Sequence, residues 1–366
     1  MSVMNVICVG CDSHEKTLVN KIAVNREAPE QFNVSGRRSG RQKLIAVLKR
    51  KAQEIGGARI VLAYEASSQG FILYDALKAA GIECYVLAPT KIARSHQQKL
   101  NKSDKKDDKC LLDIVRSHVL AGTELPAVWV PDRQTRDDRE TVRTRDDVSD
   151  KQRVLKTQIQ MLLKRWGIEK PGELHGTRSK AYRQWLKALA EDRTRGTGFR
   201  TILSSLIRQL EFVERELEQL DQAIVELGEQ PHLKPIVDAL DAETGVGRLG
   251  AVTYATEVGD FGRFRRRQQI GAYWGLTPSS NESGNIQDRK GHITRHGSPR
   301  VTRLLCQSHW VRVKHDPHER EVYQRLVARN PKRKKIAVVA GMRRLSVRLW
   351  HVGRQAQLRM RNLGPQ

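Results

Sequence analysis

The sequence predicts an α/β domain with mixed strand pairing, followed by an all-α remainder. Three observations predict it. Strand-type and helix-type periodicities interchange up to about residue 131. From about 133 to 227 the apolar residues recur only at helical spacing. Beyond about 231 the helical pattern continues, broken by Gly and Pro turns.

Val6–Val9 is a β-rich apolar run, and Thr17–Asn25 alternates like a second strand running back. Gln31–Val34 is a short third strand. Arg41–Gln53 carries Leu44, Val47 and Leu48 on one helical face. Ile60–Tyr64 reads as a strand, Gly70–Ala80 as a helix, and Cys84–Leu87 as a strand ended by Pro89. Asp107–Ala121 is a helix with Leu111, Leu112 and Val115 inward. Three strands, helix, strand, helix, strand and helix is an order that fits an RNase H-like fold. Further on, Ile202, Leu206, Leu210, Val213, Leu217, Leu220 and Ile224 form a three-and-four repeat, the pattern of a coiled-coil seam. Lys170–Thr177, with Pro171, Gly172 and Gly176, breaks the helices. The expected domains are therefore 1–131 (α/β), 132–230 (helical coiled coil for oligomerisation) and 231–366 (mostly helical).

The net charge is +25, far beyond what solubility requires, and a polyanion such as DNA or RNA is the default partner. Residues 260–366 hold 24 Lys+Arg against 6 Asp+Glu, +18 of that total. Five cysteines, odd in number and widely spaced, exclude a disulfide framework. Cys8-x-x-Cys11 has half a zinc site's spacing, but strand alternation sends the two side chains to opposite faces. No apolar stretch is long enough to span a bilayer and no leader opens the chain, so a soluble cytoplasmic protein with no membrane partner is expected.

Four acids are the chemical signal. Asp12 follows the apolar run ending Val9-Gly10-Cys11, and Glu65 follows Ile60–Tyr64. Asp104 and Asp107 form an Asp-x-x-Asp pair opening a helical stretch. Carboxylates at the ends of neighbouring strands repel one another and demand a cation. Two Mg²⁺ ions held by such oxygens clamp the attacking and leaving oxygens of a phosphodiester. A solvated helix turn is the blander reading for Asp104 and Asp107; Asp12 and Glu65 resist it better.

Three features point to nucleic acid in the last part. Thr244-Gly245-Val246-Gly247 opens a helix in the manner of a helix-hairpin-helix, offering backbone N–H groups to a phosphate. Arg263, Arg265, Arg266 and Arg267 lie close by. Tyr273-Trp274-Gly275-Leu276-Thr277-Pro278 leads into a polar loop with Ser279, Ser280 and Ser283, then into the basic segment Arg289, Lys290 and Arg295. Spacing alone does not choose among the three serines as a nucleophile. Lys332, Arg333, Lys334 and Lys335 introduce a last helix, Ile336–Trp350.

These residues resemble the transposases, more accurately recombinases, of the insertion-sequence 110 family and its 1111 group, with the Piv-type DNA invertases as relatives. The resemblance rests on Val9-Gly10-Cys11-Asp12, Tyr64-Glu65-Ala66, Lys102-Ser103-Asp104-Lys105-Lys106-Asp107, Thr244–Gly247, Ala272–Pro278, Glu282-Ser283-Gly284 and Ala340–Leu345. It implies a RuvC-like (RNase H-fold) N-terminal domain whose four acids bind Mg²⁺, a coiled-coil middle and a C-terminal transposase domain. It further implies Ser283 as the nucleophile, joined covalently to a DNA phosphate. A structured noncoding guide (bridge) RNA of the element that pairs with donor and target DNA is implied too, as is assembly into dimers and tetramers. Where the family usually has Thr and Ala around the Asp pair, this chain has Ser103 and Asp108, so Asp108 competes with Asp107 as fourth ligand. A Piv-like invertase and a RuvC-like junction nuclease using water are the alternative expectations.

Overall fold

Alternation in the first apolar run is what the sheet is built on. The computed structural model describes residues 5–92, 104–174, 176–177, 179–280 and 290–363, with backbone alone at 104–109, 280, 290, 329 and 363. The chain divides into two compact units, Met1–Val130 and Pro131–Gln366.

In the first unit β1 (Asn5–Ser13), β2 (Thr17–Val24) and β3 (Glu30–Ser35) form a meander. Then come α1 (Arg38–Glu54), β4 (Ala58–Glu65), α2 (Ile72–Ala79), β5 (Glu83–Leu87) and α3 (Asp104–Ala121). The five-stranded sheet has the order β3-β2-β1-β4-β5. β1–β2 and β2–β3 pair antiparallel, whereas β1–β4 and β4–β5 pair parallel. Parallel neighbours require crossovers, which α1 and α2 supply. This is the mixed order expected of an RNase H-like sheet.

Both faces of the central strands are buried, which is why their sequences read as near-continuous apolar runs. Ile7, Val9, Cys11, Leu62 and Tyr64 face a core completed by Leu44 and Leu48 of α1 and Leu73 and Leu77 of α2. Cys8, Val61 and Ala63 face a second core with Leu111, Leu112 and Val115 of α3. Cys8 and Cys11 thus occupy opposite faces as buried thiols outside any disulfide, in keeping with a structural role.

The second unit begins with α4 (Arg133–Arg165), α5 (Lys180–Glu191) and α6 (Thr197–Gly228). Asp132 and Ser179 cap the first two, accepting from Thr135 N at 2.7 Å and Tyr182 N at 3.1 Å. It continues with α7 (Lys234–Asp241), α8 (Gly247–Val258), α9 (Arg267–Tyr273) and a two-stranded ladder of β6 (Pro278–Ser280) and β7 (Lys290–Ile293). The final helices are α10 (Pro299–His315), α11 (Pro317–Arg329) and α12 (Lys334–Leu363). The last of these extends well past the expected Ile336–Trp350.

Two cores sit inside this unit. Leu155, Ile159 and Leu162 of α4 meet Leu186 of α5 and Phe199 and Leu203 of α6 in an arm. Val142 of α4 and Ile224 of α6 instead join Val237, Tyr254, Trp274 and Trp350 in a hub. The heptad seam expected in α6 is only partly the buried stripe. Leu210, Leu217 and Ile224 are buried, but Ile202 is 49% exposed, and Phe199 and Leu203 are buried in its place. Near its start α6 packs against α5 as well as α4, and this second partner turns the buried face.

α10 and α12 approach closely where Gly341 lies against His309. A Cβ on Gly341 would stand 2.0 Å from His309 Cε1. Gly341→Ala should therefore cost about 1–3 kcal/mol, more than the helix propensity it gains. The midpoint of urea unfolding checks this, and a His309→Ala background should recover most of the loss. His309 is buried, and neither ring nitrogen has a hydrogen-bond partner among the described residues. Burial pushes its pKa down; Glu319 opposes this, and Arg344 and Arg312 add to it. The folded chain thus keeps the imidazole neutral while the unfolded chain protonates it. Its contribution is complete above the ordinary value of 6.5 and is lost as the pH falls below it. Melting temperature against pH should drop on the acid side of that value, and His309→Phe should flatten the drop.

Candidate active site

The register of β1 and β4 fixes the acidic edge. Their pairing runs from Asn5↔Ala58 to Cys11↔Tyr64, so Asp12 and Glu65 occupy the next rung. Side chains paired across a ladder share a face, and parity puts both acids on the face of Cys8, Val61 and Ala63. That is the face α3 covers. One step inward on the same face stand Gly10 and Ala63, a small pair beneath the two carboxylates. Lys21 of β2 pairs with Gly10 and so shares the face; nothing in its alternating strand distinguished it in the sequence.

α3 runs antiparallel to β1. Its middle packs on the middle of the sheet through Leu111, Leu112 and Val115. Towards its other end Arg116 donates to the carbonyl of Glu27, at the edge where β1 begins. Asp104 is the first residue of α3. The eight residues from Asp104 to Leu112 span about 12 Å of helix, and the four from Cys8 to Asp12 about 13 Å of strand. The start of α3 and the Asp12–Glu65 edge therefore lie at the same end of the sheet. Asp104 and Asp107 both fall in the first turn of α3, but the placement of their carboxylates, and of Asp108, lies outside the described residues.

Asp12 has an 18% exposed side chain, and its Oδ2 meets His14 Nε2 at 2.9 Å. Next to it Ser13 Oγ donates to Gln69 Oε1 at 3.4 Å. Asp12 and Glu65 offer hard oxygen donors, the type Mg²⁺ takes. Among the described side chains no group of three or more His, Cys, Asp or Glu is positioned to hold a metal, and Asp104 and Asp107 are not in that set.

In the second unit the glycine turn has the anticipated form. Gly245, between α7 and α8, and Gly247, the first residue of α8, adopt φ of +83° and +67°, a conformation that L side chains resist. A Cβ on Gly245 would also meet Ser308 O of α10 at 2.8 Å. Glu243, in the same turn, reaches Arg348 Nε of α12 at 2.5 Å and Arg312 at 3.5 Å. The turn is thus clamped to two helices.

The serine loop is framed by β6 and β7, paired at Pro278↔Ile293 and Ser280↔Lys290. Ser283 and Arg289 lie outside the described residues, between these strands, as do the side chains of Ser280 and Lys290. Ser279 is committed elsewhere, its Oγ donating to His292 O at 3.1 Å. The base of the loop is tight: a Cβ on Gly297 would stand 2.2 Å from the Trp274 carbonyl carbon. Trp274 itself is buried against Tyr254, so the aromatic motif anchors the loop in the hub.

The basic residues divide by environment. Arg263 packs over the rings of Phe264 (4.2 Å) and Tyr273 (4.4 Å) and donates to Val258 O at 3.3 Å. Those contacts give it a place in the packing, which charge alone did not reveal. Arg265, Arg266 and Arg267 are exposed, as is Arg295, whose φ is +56°. Lys332, Arg333, Lys334 and Lys335 are all exposed around the first turn of α12. Cations there oppose the helix dipole, so they do nothing for the helix, but cations and dipole together favour an approaching anion.

Sequence reasoning also missed two ion-pair clusters. Arg143 makes a two-point contact with Glu257, at 2.9 and 3.1 Å, beside Arg139, which donates to Thr256 O and Glu257 O. Asp146, Asp147 and Asp150 of α4 hold Arg300 and Arg303 of α10, at 2.6–3.2 Å. Asp146, Asp147 and Asp150 form an acidic run on a helix rich in Arg, which signals pairing but not the distant partner.

Two family models match this chain. Residues 237–324 match the transposase IS116/IS110/IS902 family, and residues 9–167 match a DEDD-type transposase model of IS110 elements. "Putative transposase y4qE" of Sinorhizobium fredii is 33% identical over 254 residues, 69% of this chain. The chain spans 58% of that relative's length. The transposase for insertion sequence element IS1533 of Leptospira borgpetersenii is 25% identical over 316 residues, 83% of this chain and 84% of that protein. Among solved structures, T. thermophilus RuvC in complex with a Holliday junction substrate aligns with a TM-score of 0.24 and 12% identity, over 34% of this chain and 99% of that one.

Proposed function

This chain belongs to the IS110 family of transposases, and from that premise we propose that it cuts and rejoins DNA strands through a covalent phosphoserine intermediate. The observation that carries the reading is the shared rung of Asp12 and Glu65, on the face that α3 covers, with Asp104 and Asp107 in that helix's first turn. Asp12, Glu65, Asp104 and Asp107 would hold Mg²⁺, which when bound withdraws charge from the phosphate and its leaving oxygen.

Ser283 is the proposed nucleophile. Its hydroxyl gives up a proton as Oγ bonds to phosphorus, and the bond from phosphorus to a sugar oxygen breaks, that oxygen taking up a proton. Religation is the reverse, with a sugar hydroxyl displacing Oγ. The phosphodiester bond energy is conserved, so no nucleotide cofactor is needed. Exposed cations at Arg265–Arg267, Arg295 and Lys332–Lys335 would hold the phosphate backbone; Arg289 and Lys290 flank the serine loop in sequence.

The remaining features of the proposal are donor and target DNA as substrates, a structured noncoding RNA of the element as guide, and a homo-oligomer of dimers or tetramers. Protein–DNA adducts trapped under denaturing conditions test the chemistry. An adduct mapping to Ser283 is expected; cleavage without any adduct would instead establish hydrolysis by water.

A further inference from the structure

α10 is amphipathic in an unusual sense. Val301, Leu305, Ser308, His309 and Arg312 are buried. The opposite stripe, Arg303, Gln307, Trp310 and Lys314, is exposed at each position. Steps of four, three and four residues keep these four on one face, about 16 Å from end to end. Trp310 is 45% exposed, the largest side chain in that stripe. Its indole meets the Tyr323 ring of α11 at 5.4 Å and 64°, and the His309 ring at 6.3 Å. Two rings therefore brace the indole without covering it.

Single exposed apolar residues are common and need no explanation. Trp310 differs in being braced by two rings one turn from Lys314, an exposed cation, in the part of the chain carrying most of the positive charge; Arg303, at the other end of the stripe, is already paired with Asp146 and Asp150. An exposed aromatic plate beside a cation suits a ligand that alternates negative charge with flat apolar rings. An unpaired nucleotide strand has that alternation, whereas duplex DNA keeps its ring faces stacked away. We infer that the exposed face of α10 binds single-stranded DNA, with one nucleobase stacked on Trp310 and a flanking phosphate near Lys314. This rests on the reading of the chain as a DNA-handling enzyme.

The test compares wild type, Trp310→Ala and Trp310→Phe by fluorescence anisotropy. The probes are a labelled single-stranded DNA, the same sequence as duplex, and the same sequence as single-stranded RNA. Trp310→Ala should weaken single-stranded DNA binding about tenfold, and Trp310→Phe should retain most of it. Duplex binding and near-ultraviolet circular dichroism outside the lost indole signal should not move. Unchanged single-stranded DNA binding by Trp310→Ala would overturn the inference. So would an equal loss on duplex, which marks a structural role, or a loss confined to RNA. Wild type that binds duplex normally while Trp310→Ala is silent sinks this inference alone. Wild type that binds no DNA at all sinks the proposed function with it.

Discussion

Ser283→Ala is expected to abolish strand joining, by more than about 10³-fold, because it removes the oxygen proposed to form the covalent bond. DNA binding should survive, since the proposed phosphate-holding cations are elsewhere. The measurement is recombination on a plasmid carrying both sites, alongside adduct trapping. Normal recombination by this variant would remove Ser283 from the mechanism. Ser279→Ala is the matched control: its hydroxyl is tied to His292 O at the hairpin, so recombination should be largely kept. The reverse pattern, with Ser279 essential and Ser283 dispensable, would move the nucleophile to the strand.

Asp12→Asn is expected to lower DNA cleavage by about 10²-fold or more, with duplex binding and folding intact. The substitution keeps shape and removes one negative charge from the strand-end pair. Glu65→Gln should do the same, and the double variant should lose little more than either alone, as the proposed shared site requires. Cleavage against Mg²⁺ concentration gives the second readout: the single variants should need more metal for half-maximal rate. Unchanged cleavage at every Mg²⁺ level would refute a metal site at this edge. His14 provides an internal check, since its ring touches Asp12 Oδ2. Its removal should shift the metal requirement and leave the cleavage product unchanged.

Much of the first unit was legible because strands announce themselves by period. Each expected strand appears, four of them lengthened at one or both ends and Thr17–Asn25 one residue shorter, and the mixed pairing follows from a meander followed by two crossovers. What alternation alone could not supply was the rung. That Asp12 and Glu65 share one, and which helix covers their face, depends on contacts between residues 53 positions apart. The helical unit was less legible for a related reason. An apolar stripe gives the face of a helix for one partner, and α6 has two near its start, so Ile202 ended exposed and Phe199 buried. Arg263 shows the limit of reading charge: its place depends on Phe264 and Tyr273, which folding brings over its guanidinium. Ser279 was separable from the other serines only once β6 and β7 were seen to pair.

The uninterrupted length of α4 has a mechanical consequence. One helix contributes Val142 to the hub core and Leu155, Ile159 and Leu162 to the arm core, with no break between them. A helix transmits bending along its whole length because its hydrogen bonds resist local hinging. From Arg143 to Trp166 the lever is about 35 Å long. Its fulcrum is the Arg143–Glu257 contact, and the part of the same arm nearest that contact carries Asp146 and Asp150, gripping Arg300 and Arg303. A sideways load at the arm's tip is thereby delivered, with its travel reduced and its force multiplied, to the first turn of the helix that follows the serine hairpin.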